Sequence, residues 1–358
     1  MAFISGVAKA IQMKKNYLER IKKLKKALEH DGFLIQNPVD LYYFTGLEMS
    51  AGKLLVLKDA IWLLVDGRYI EAAKERSPVP VKLDKPNLLL ELIPKGSKIG
   101  IDSEKTSLQS YMDLQTLWKK ASVKPVPEKG TISQLREIKD AAEIELLRKA
   151  AKLGSLGYDH VANHLKTGIT EKELADSLEQ FWKKQGAQGV AFDPIIAFGP
   201  NSSKPHYRAG DVPLKSNQHV LIDIGVTLNH YHSDMTRVVF TGRKQKKIVE
   251  IYDIVAEAHL RAKKLAKSGA AIASLDTAAR EYISSKGYGE YFSHSLGHGI
   301  GLEVHEAPAV RSSTQKLKKG MVITIEPGIY LPGIGGVRIE DTYLILQNGC
   351  ESLTQREF

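Results

Sequence analysis

Three stretches in the C-terminal half of the chain each set a carboxylate into an apolar run. They are Asp223 in HVLIDIGV, Glu326 in MVITIEPGIY and Glu340 in GVRIEDTYLIL. Runs of this composition form buried strands, and a carboxylate carried inward on one is costly to desolvate. Two such residues on neighbouring strands repel unless a proton, an arginine or a cation lies between them. A fold of this sequence must therefore gather the strands around shared partners.

Flanking residues narrow the choice. Asp234 in YHSDMTR follows Asp223 by 234 − 223 = 11 residues, across the turn-prone LNHYH, so a hairpin would bring both carboxylates to one place. Hydrogen bonds or Arg237 would satisfy that pair equally well. In GVRIEDTYLIL, alternation puts Arg338, Glu340 and Thr342 on one face and Val337, Ile339, Asp341 and Tyr343 on the other. Glu340 thus has Arg338 as a potential ion-pair partner. The PGIGG stretch, however, turns the chain from Glu326 back towards Glu340, and two acidic strands side by side favour a cation.

SHSLGHGIGLEVHE adds His294, His298 and His305. His294 and His298 stand at the spacing of a helical metal pair, but Gly297, Gly299 and Gly301 oppose a helix and the His-Glu-x-x-His glutamate is missing. GHGIG also departs from the dinucleotide fingerprint G-x-G-x-x-G. Four carboxylates (Asp223, Asp234, Glu326, Glu340) with one imidazole (His298) exceed the needs of a single small cation and suit two divalent ones. A dinuclear centre of that kind points to hydrolysis by an activated water. His206, in the polar loop NSSKPHYRAG, reads locally as a surface histidine.

With 358 residues, 43% hydrophobic and 26% charged, the chain has the bulk of a soluble two-domain protein. Helical and strand-like stretches alternate up to the Pro125, Pro127 and Gly130 cluster, which predicts an α/β domain over 1–130. Residues 131–358 predict an α+β domain holding all five ligand candidates. Its first helix is expected to start at Ser133, with Arg136, Lys139 and Lys149 on the polar side, and its second at Thr170, where TEKE forms a capping box. Further helices are expected from about Lys246 to Lys267 and from Ser274 to Lys286.

One cysteine, Cys350, excludes an intrachain disulfide and fits a reducing, cytoplasmic setting. The N-terminal MAFISGVAKAIQMKK is a short apolar run broken by Lys9, with its basic residues after the run, the wrong order for a secretory signal. No apolar stretch approaches the roughly 20 residues of a membrane span. Part of the net charge of +10 lies in Lys14, Lys15, Arg20, Lys22, Lys23, Lys25 and Lys26, on the wet side of a helix whose inner side is Leu18, Ile21, Leu24 and Leu28. Without interleaved aromatics that face reads as solvated, and neither nucleic acid nor membrane is expected as a partner.

Taken in order, the five ligand segments resemble the proline-peptidase branch of the "pita-bread" metallopeptidases, which holds aminopeptidase P (Xaa-Pro aminopeptidase) and prolidase (Xaa-Pro dipeptidase). NPVDLYYFTG and LLVDGRYIEAA in the first domain also look like family segments, so the resemblance covers all but the first fifteen or so residues. It implies an α/β N-terminal domain followed by a creatinase/aminopeptidase-like pita-bread catalytic domain. By the resemblance, Asp223 chelates one metal, His298 and Glu326 bind the other, and Asp234 and Glu340 bridge the two. A metal-bridging hydroxide would attack the scissile carbonyl, with Glu326 as its proton acceptor. His206 and His305 would position substrate and stabilise the tetrahedral intermediate, which raises His206 from a surface residue to a catalytic one. Arg338 and Tyr330 would orient the site, and His294 with Tyr330 would shape the proline pocket.

Oxygen-rich ligation with one imidazole favours two Mn2+, with Co2+ or Zn2+ also able to bind. The resemblance further implies peptides with proline at the second position as substrates, and a homodimer. Between its two branches, removal of the first residue from Xaa-Pro peptides is the leading expectation, and cleavage of the Xaa-Pro dipeptide itself the alternative. Methionine aminopeptidase shares the ligands, but its simplest forms lack a separate N-terminal domain; creatinase shares the architecture without using the metals. A non-enzymatic binding protein on this fold is a further alternative, disfavoured because such relatives typically lose ligands.

Overall fold

The computed structural model describes residues 2–311, 313–354 and 356. The chain divides into two compact units, Met1–Leu135 and Arg136–Phe358. No helix of the described residues is long and apolar enough to cross a membrane.

In the first unit a six-stranded mixed sheet runs in the order Val81–Leu83, Ile61–Val65, Lys53–Leu57, Gly32–Ile35, Lys98–Asp102, Lys124–Glu128. Leu34, Leu55, Leu64, Ile99 and Trp118 form part of its core. NPVDLYYFTG supplies its own punctuation. Asn37 Oδ1 accepts from the Val39 and Asp40 amides to start the helix Pro38–Thr45, Pro38 takes the first turn, and Gly46 at φ 68° ends it. The N-terminal helix, Ala2–Ala27, buries Ile21 and Leu24 as expected. Arg20 departs from the expected wet face: it is buried, donates to Tyr43 O at 2.8 Å and lies 4.4 Å from the Tyr43 ring centroid. A guanidinium can stack on an aromatic ring where an ammonium would need more water.

The second unit opens differently from the single helix expected from Ser133. A short helix, Thr131–Glu137, ends before Lys139, whose amide donates to Gly320 O. Helix Ala141–His164 then starts afresh, with Asp140 and Glu143 forming a reciprocal capping box. Asp140, not Ser133, is thus the N-cap, because only Asp140 has a glutamate three residues on. Thr170 and Glu173 form the expected box at the start of Glu171–Lys184.

Strand Gln218–Ile224 lies centrally between Ile195–Phe198 and Met235–Thr241. Its apolar run is buried on both faces. Val220, Ile222 and Ile224 pack in a core with Leu153, Leu174 and Trp182 from the first two helices, while Leu221 joins a second core with Ile251, Val255 and Ala279 from helices Lys246–Leu265 and Ile272–Ser285. Asp223 shares the face of Leu221.

Besides a small three-stranded sheet ordered Tyr231–His232, Val226–Leu228, Gly189–Val190, the unit has a five-stranded sheet, ordered Glu306–Val310, Gly297–Gly299, Val322–Ile325, Asp341–Leu346, Gly349–Ser352, and a separate ribbon of Gly328–Leu331 with Gly335–Arg338. GVRIEDTYLIL is therefore not the single alternating strand expected. It leaves the ribbon after Arg338 and enters the large sheet at Asp341. Opposite this break Pro327 has no amide to donate, while the Ile339 amide reaches Pro327 O and the Glu340 amide reaches Thr236 O. Glu326 and Glu340 occupy the two crossing points between ribbon and sheet.

Candidate metal centre

The antiparallel pairing of Gln218–Ile224 with Met235–Thr241 sets Asp223 opposite Thr236, with Asp234 at the strand entrance. The isolated bridge from Thr236 to Glu340 brings the sheet switch onto this hairpin. His298 comes from Gly297–Gly299, where a side chain at Gly297 or Gly299 would collide with the Thr324 or Ala307 carbonyl. These glycines allow close backbone approach rather than a nucleotide loop.

Ligand atoms of Asp234, His298 and Glu340 lie within 4.8 Å of one another. His298 Nε2 stands 3.6 Å from Asp234 Oδ2 and 3.4 Å from Glu326 Oε1. All five candidate ligands line one cavity of about 670 Å³, together with His206, His294, His305 and Arg338. Tyr330 does not line it; its hydroxyl stands behind His294, 2.9 Å from Nε2.

The histidine tautomers follow from their partners. Nδ1 of His298 lies 3.0 Å from Gly299 O, and a carbonyl only accepts, so Nδ1 carries the proton and the bare Nε2 faces the carboxylates. Burial, with help from His305, lowers His298 to about 4, which leaves it neutral and able to ligate at pH 7. The His305 ring lies 4.2 Å from that of His298, and burial and the neighbouring His206 lower its pKa.

The carboxylates show the opposite strain. Burial, followed by the Asp223 charge, pushes Glu326 up to about 8, against the pull of Arg338. Burial and neighbouring carboxylates also raise Asp234 and Glu340 well above the usual range. Asp223 Oδ1 and Glu340 Oε1 are buried without a hydrogen-bond partner among the described residues. Crowded acidic oxygens, two of them orphaned, beside a bare imidazole nitrogen are a donor set that fits divalent cations.

The arginines are arranged otherwise than the sequence allowed. Arg237 donates to Asp341 and to Glu340 O, so it is not the partner of Asp223 or Asp234. Arg338 pairs with Asp223 and donates to Thr236 Oγ1, rather than pairing with Glu340. Glu340 Oε2 instead accepts from the Thr236 hydroxyl at 2.7 Å.

Sequence reasoning missed the threonines. Thr324 accepts from the His298 amide and donates to Glu326, and Thr342 donates to Asp234 O. The signal was available, since Thr236, Thr324 and Thr342 each stand two residues from a candidate ligand, on its strand face. It also misplaced Arg136 and Lys139, which are buried around Glu306 rather than on a polar side.

Residues 145–347 match the model of metallopeptidase family M24, and residues 18–138 match the Creatinase/Prolidase N-terminal domain. An Xaa-Pro dipeptidase of Pyrococcus furiosus is 41% identical over 346 residues, covering 95% of this chain and 98% of that protein. Among solved structures, an Xaa-Pro dipeptidase from Bacillus anthracis superposes with a TM-score of 0.89 at 36% identity, over 96% of this chain and 98% of that one. An X-Pro aminopeptidase from Thermotoga maritima does so with a TM-score of 0.84 at 35% identity, over 93% and 98%. The expected architecture, an α/β N-terminal domain followed by a pita-bread catalytic domain, is the one these matches describe.

Proposed function

The chain belongs to metallopeptidase family M24, and from that premise we propose that it is an Xaa-Pro dipeptidase. The observation that carries the reading is the single cavity in which Asp223, Asp234, His298, Glu326 and Glu340 converge. The dipeptidase named in Pyrococcus furiosus supports this branch better than the aminopeptidase branch expected first, which has the Thermotoga maritima structure in its favour at lower identity.

In this reading Asp223 would hold one divalent cation and His298 with Glu326 the other, with Asp234 and Glu340 available to both. The chemistry such a pair would supply, with Mn2+ favoured by the oxygen-rich donor set, is polarisation of the scissile carbonyl and acidification of a bound water. Glu326, which lines the cavity beside His298, takes the proton of the attacking water and passes it to the leaving proline nitrogen. His206 and His305 orient the carbonyl and donate to the oxyanion as it forms. Arg338 holds Asp223 in place, and His294, fixed by Tyr330, packs against the proline ring.

Proline selectivity follows from the substrate itself. The bond before proline is a tertiary amide without an N–H, and a pocket shaped for the pyrrolidine ring favours what other peptidases handle poorly. A homodimer in the cytoplasm completes the proposal.

The deciding experiment compares an Xaa-Pro dipeptide with the matching Xaa-Pro-Zaa tripeptide on manganese-loaded protein, with and without chelator. Chelator-sensitive turnover favouring the dipeptide is expected. Preference for the tripeptide returns the assignment to aminopeptidase P, and tight metal-free folding with no turnover in added manganese would leave a binding protein on the same fold.

A further inference from the structure

We propose that Glu171, which has no part in the roles above, is the positioning residue for His206; the inference rests on the catalytic reading of His206. Glu171 is the first residue of helix Glu171–Lys184 and is 0% exposed. Its carboxylate accepts four hydrogen bonds. Oε1 takes the Phe198 amide at 2.8 Å and Asn201 Nδ2 at 3.0 Å, and Oε2 takes the Tyr207 hydroxyl at 2.7 Å and the Gly210 amide at 3.2 Å.

Those donors bracket His206 from both sides. Phe198 ends strand Ile195–Phe198, Asn201 lies in the 3-10 turn Gly199–Ser203, Tyr207 follows His206 directly, and Gly210 comes three residues after Tyr207. Asn201 Nδ2 also reaches the Tyr207 hydroxyl at 2.9 Å, closing the loop on itself. Burial and the adjacent Glu171 charge push the Tyr207 phenol up to about 12, so it remains a donor throughout the working pH range.

The helix does not need this carboxylate. Thr170 and Glu173 already supply its cap. A buried acid costs free energy unless its oxygens are occupied, and here every partner belongs to the segment that carries His206 into the cavity. A carboxylate offers two acceptor oxygens and no donor, which the four N–H and O–H groups require. Glutamine keeps the volume but turns an NH2 group against one pair of donors.

The test is a double-mutant cycle on manganese-loaded protein, with metal content and Xaa-Pro dipeptide kinetics measured for Glu171→Gln, His206→Ala and the double variant. Glu171→Gln should lower kcat about 10- to 100-fold, as a displaced catalytic group does, with metal content unchanged. In the His206→Ala background the same substitution should cost less than about threefold, because its effect runs through the missing imidazole. A Glu171→Gln loss that repeats in full without His206, or wild-type kcat in Glu171→Gln, overturns the proposal while the role of His206 stands. Full activity in His206→Ala overturns both. If Glu171→Gln fails to fold, Tyr207→Phe removes one of the four donors and carries the same cycle, with an expected loss of about 3- to 10-fold and the same reversals.

Discussion

Arg338 Nη1 donates to the Tyr330 hydroxyl at 2.6 Å, and that hydroxyl stands 2.9 Å from Nε2 of His294. His294 Nδ1 is 2.8 Å from Ser295 O and must be its donor, which leaves Nε2 to accept from Tyr330. Burial, then the Arg338 charge, lowers His294 to about 4, so the ring is neutral at pH 7. Proton direction is thereby set along the whole relay, from the arginine that holds Asp223 to His294, the proposed wall of the proline pocket. Tyr330→Phe breaks the relay in its middle without touching a metal ligand. The neutral Tyr330–His294 hydrogen bond contributes about 0.5–1.5 kcal/mol, so KM for the dipeptide should rise about 2- to 10-fold, with kcat moving less and metal content unchanged. Unaltered KM would show that the Tyr330 hydroxyl does not position His294 for the substrate.

The proposed sharing of Asp234 between cations rests on its carboxylate, which lies 3.6 Å from His298 Nε2 and close to Glu340, with burial, then the Asp223 and Glu326 charges, raising its pKa against the pull of Arg338. Asp234→Ala should abolish metal-dependent turnover and lower the bound metal per chain. It also removes one of four mutually repelling buried acids, so the metal-free fold should persist, with an unfolding temperature at least equal to the parent's. Full activity in this variant, measured alongside metal analysis, contradicts the shared-ligand role.

The same carboxylates set a pH dependence. Glu326 is raised to about 8, and Asp234 and Glu340 are also raised well above their ordinary values. A raised folded-state pKa contributes stability at low pH that is lost as pH climbs through the folded value. Four buried histidines, His219, His259, His294 and His298, are lowered to about 4 by burial and act in the opposite sense, but only up to the ordinary histidine range near 6.5. Between pH 6.5 and 8 the acids act alone. Chelated protein should therefore lose thermal stability over that interval, and saturating Mn2+ should flatten or reverse the slope because a cation favours the ionised forms. A rising melting temperature in chelator from pH 6.5 to 8 would contradict the crowding of these acids.

The site was legible where local pattern carried a cost. Asp223 stood out because an acid in HVLIDIGV must be compensated, and the Asp234 hairpin followed from the turn-prone stretch between them. The sheet switch at Glu340 was not legible, since an alternating strand reads the same whether or not it changes partners, and only the facing Pro327 breaks the ladder. The choice between Arg237 and Arg338 also escaped. Arg338 meets Asp223 across 115 residues of chain and Arg237 meets Asp341 across 104, and no local feature distinguishes the two guanidiniums. His206 looked like a surface residue because its loop is polar, and only the family resemblance drew it inward. Glu171 was hidden inside TEKE, where Glu173 accounts for the capping pattern and leaves its neighbour looking like an ordinary first-turn acid.

One buried acid in this unit is held in the reverse direction, and it stands next to His305. Burial opposes the ionisation of Glu306, but the Lys139 and Arg136 charges outweigh it and hold the carboxyl down at about 2. Lys139 Nζ lies 3.2 Å away, Arg136 is in direct contact, and the side chains of Glu306, Lys139 and Arg136 are 5%, 1% and 5% exposed. Glu306→Ala takes the carboxylate from Lys139 and leaves Arg136 with Glu303 at 2.9 Å, and breaking such a cluster costs about 3–5 kcal/mol. The half-exposed Arg148–Glu351 pair offers the contrast: with both variants measured by urea titration, Glu351→Ala should cost only about 0–1 kcal/mol, because solvent screens it. A depressed folded-state pKa contributes stability above the unfolded value of 4.5 that disappears as pH falls towards 2. The stability gap between the parent and Glu306→Ala should accordingly be constant above about pH 5 and narrow steadily below it; a gap that is small at pH 7, or that widens in acid, would show that Lys139 and Arg136 do not hold Glu306 ionised.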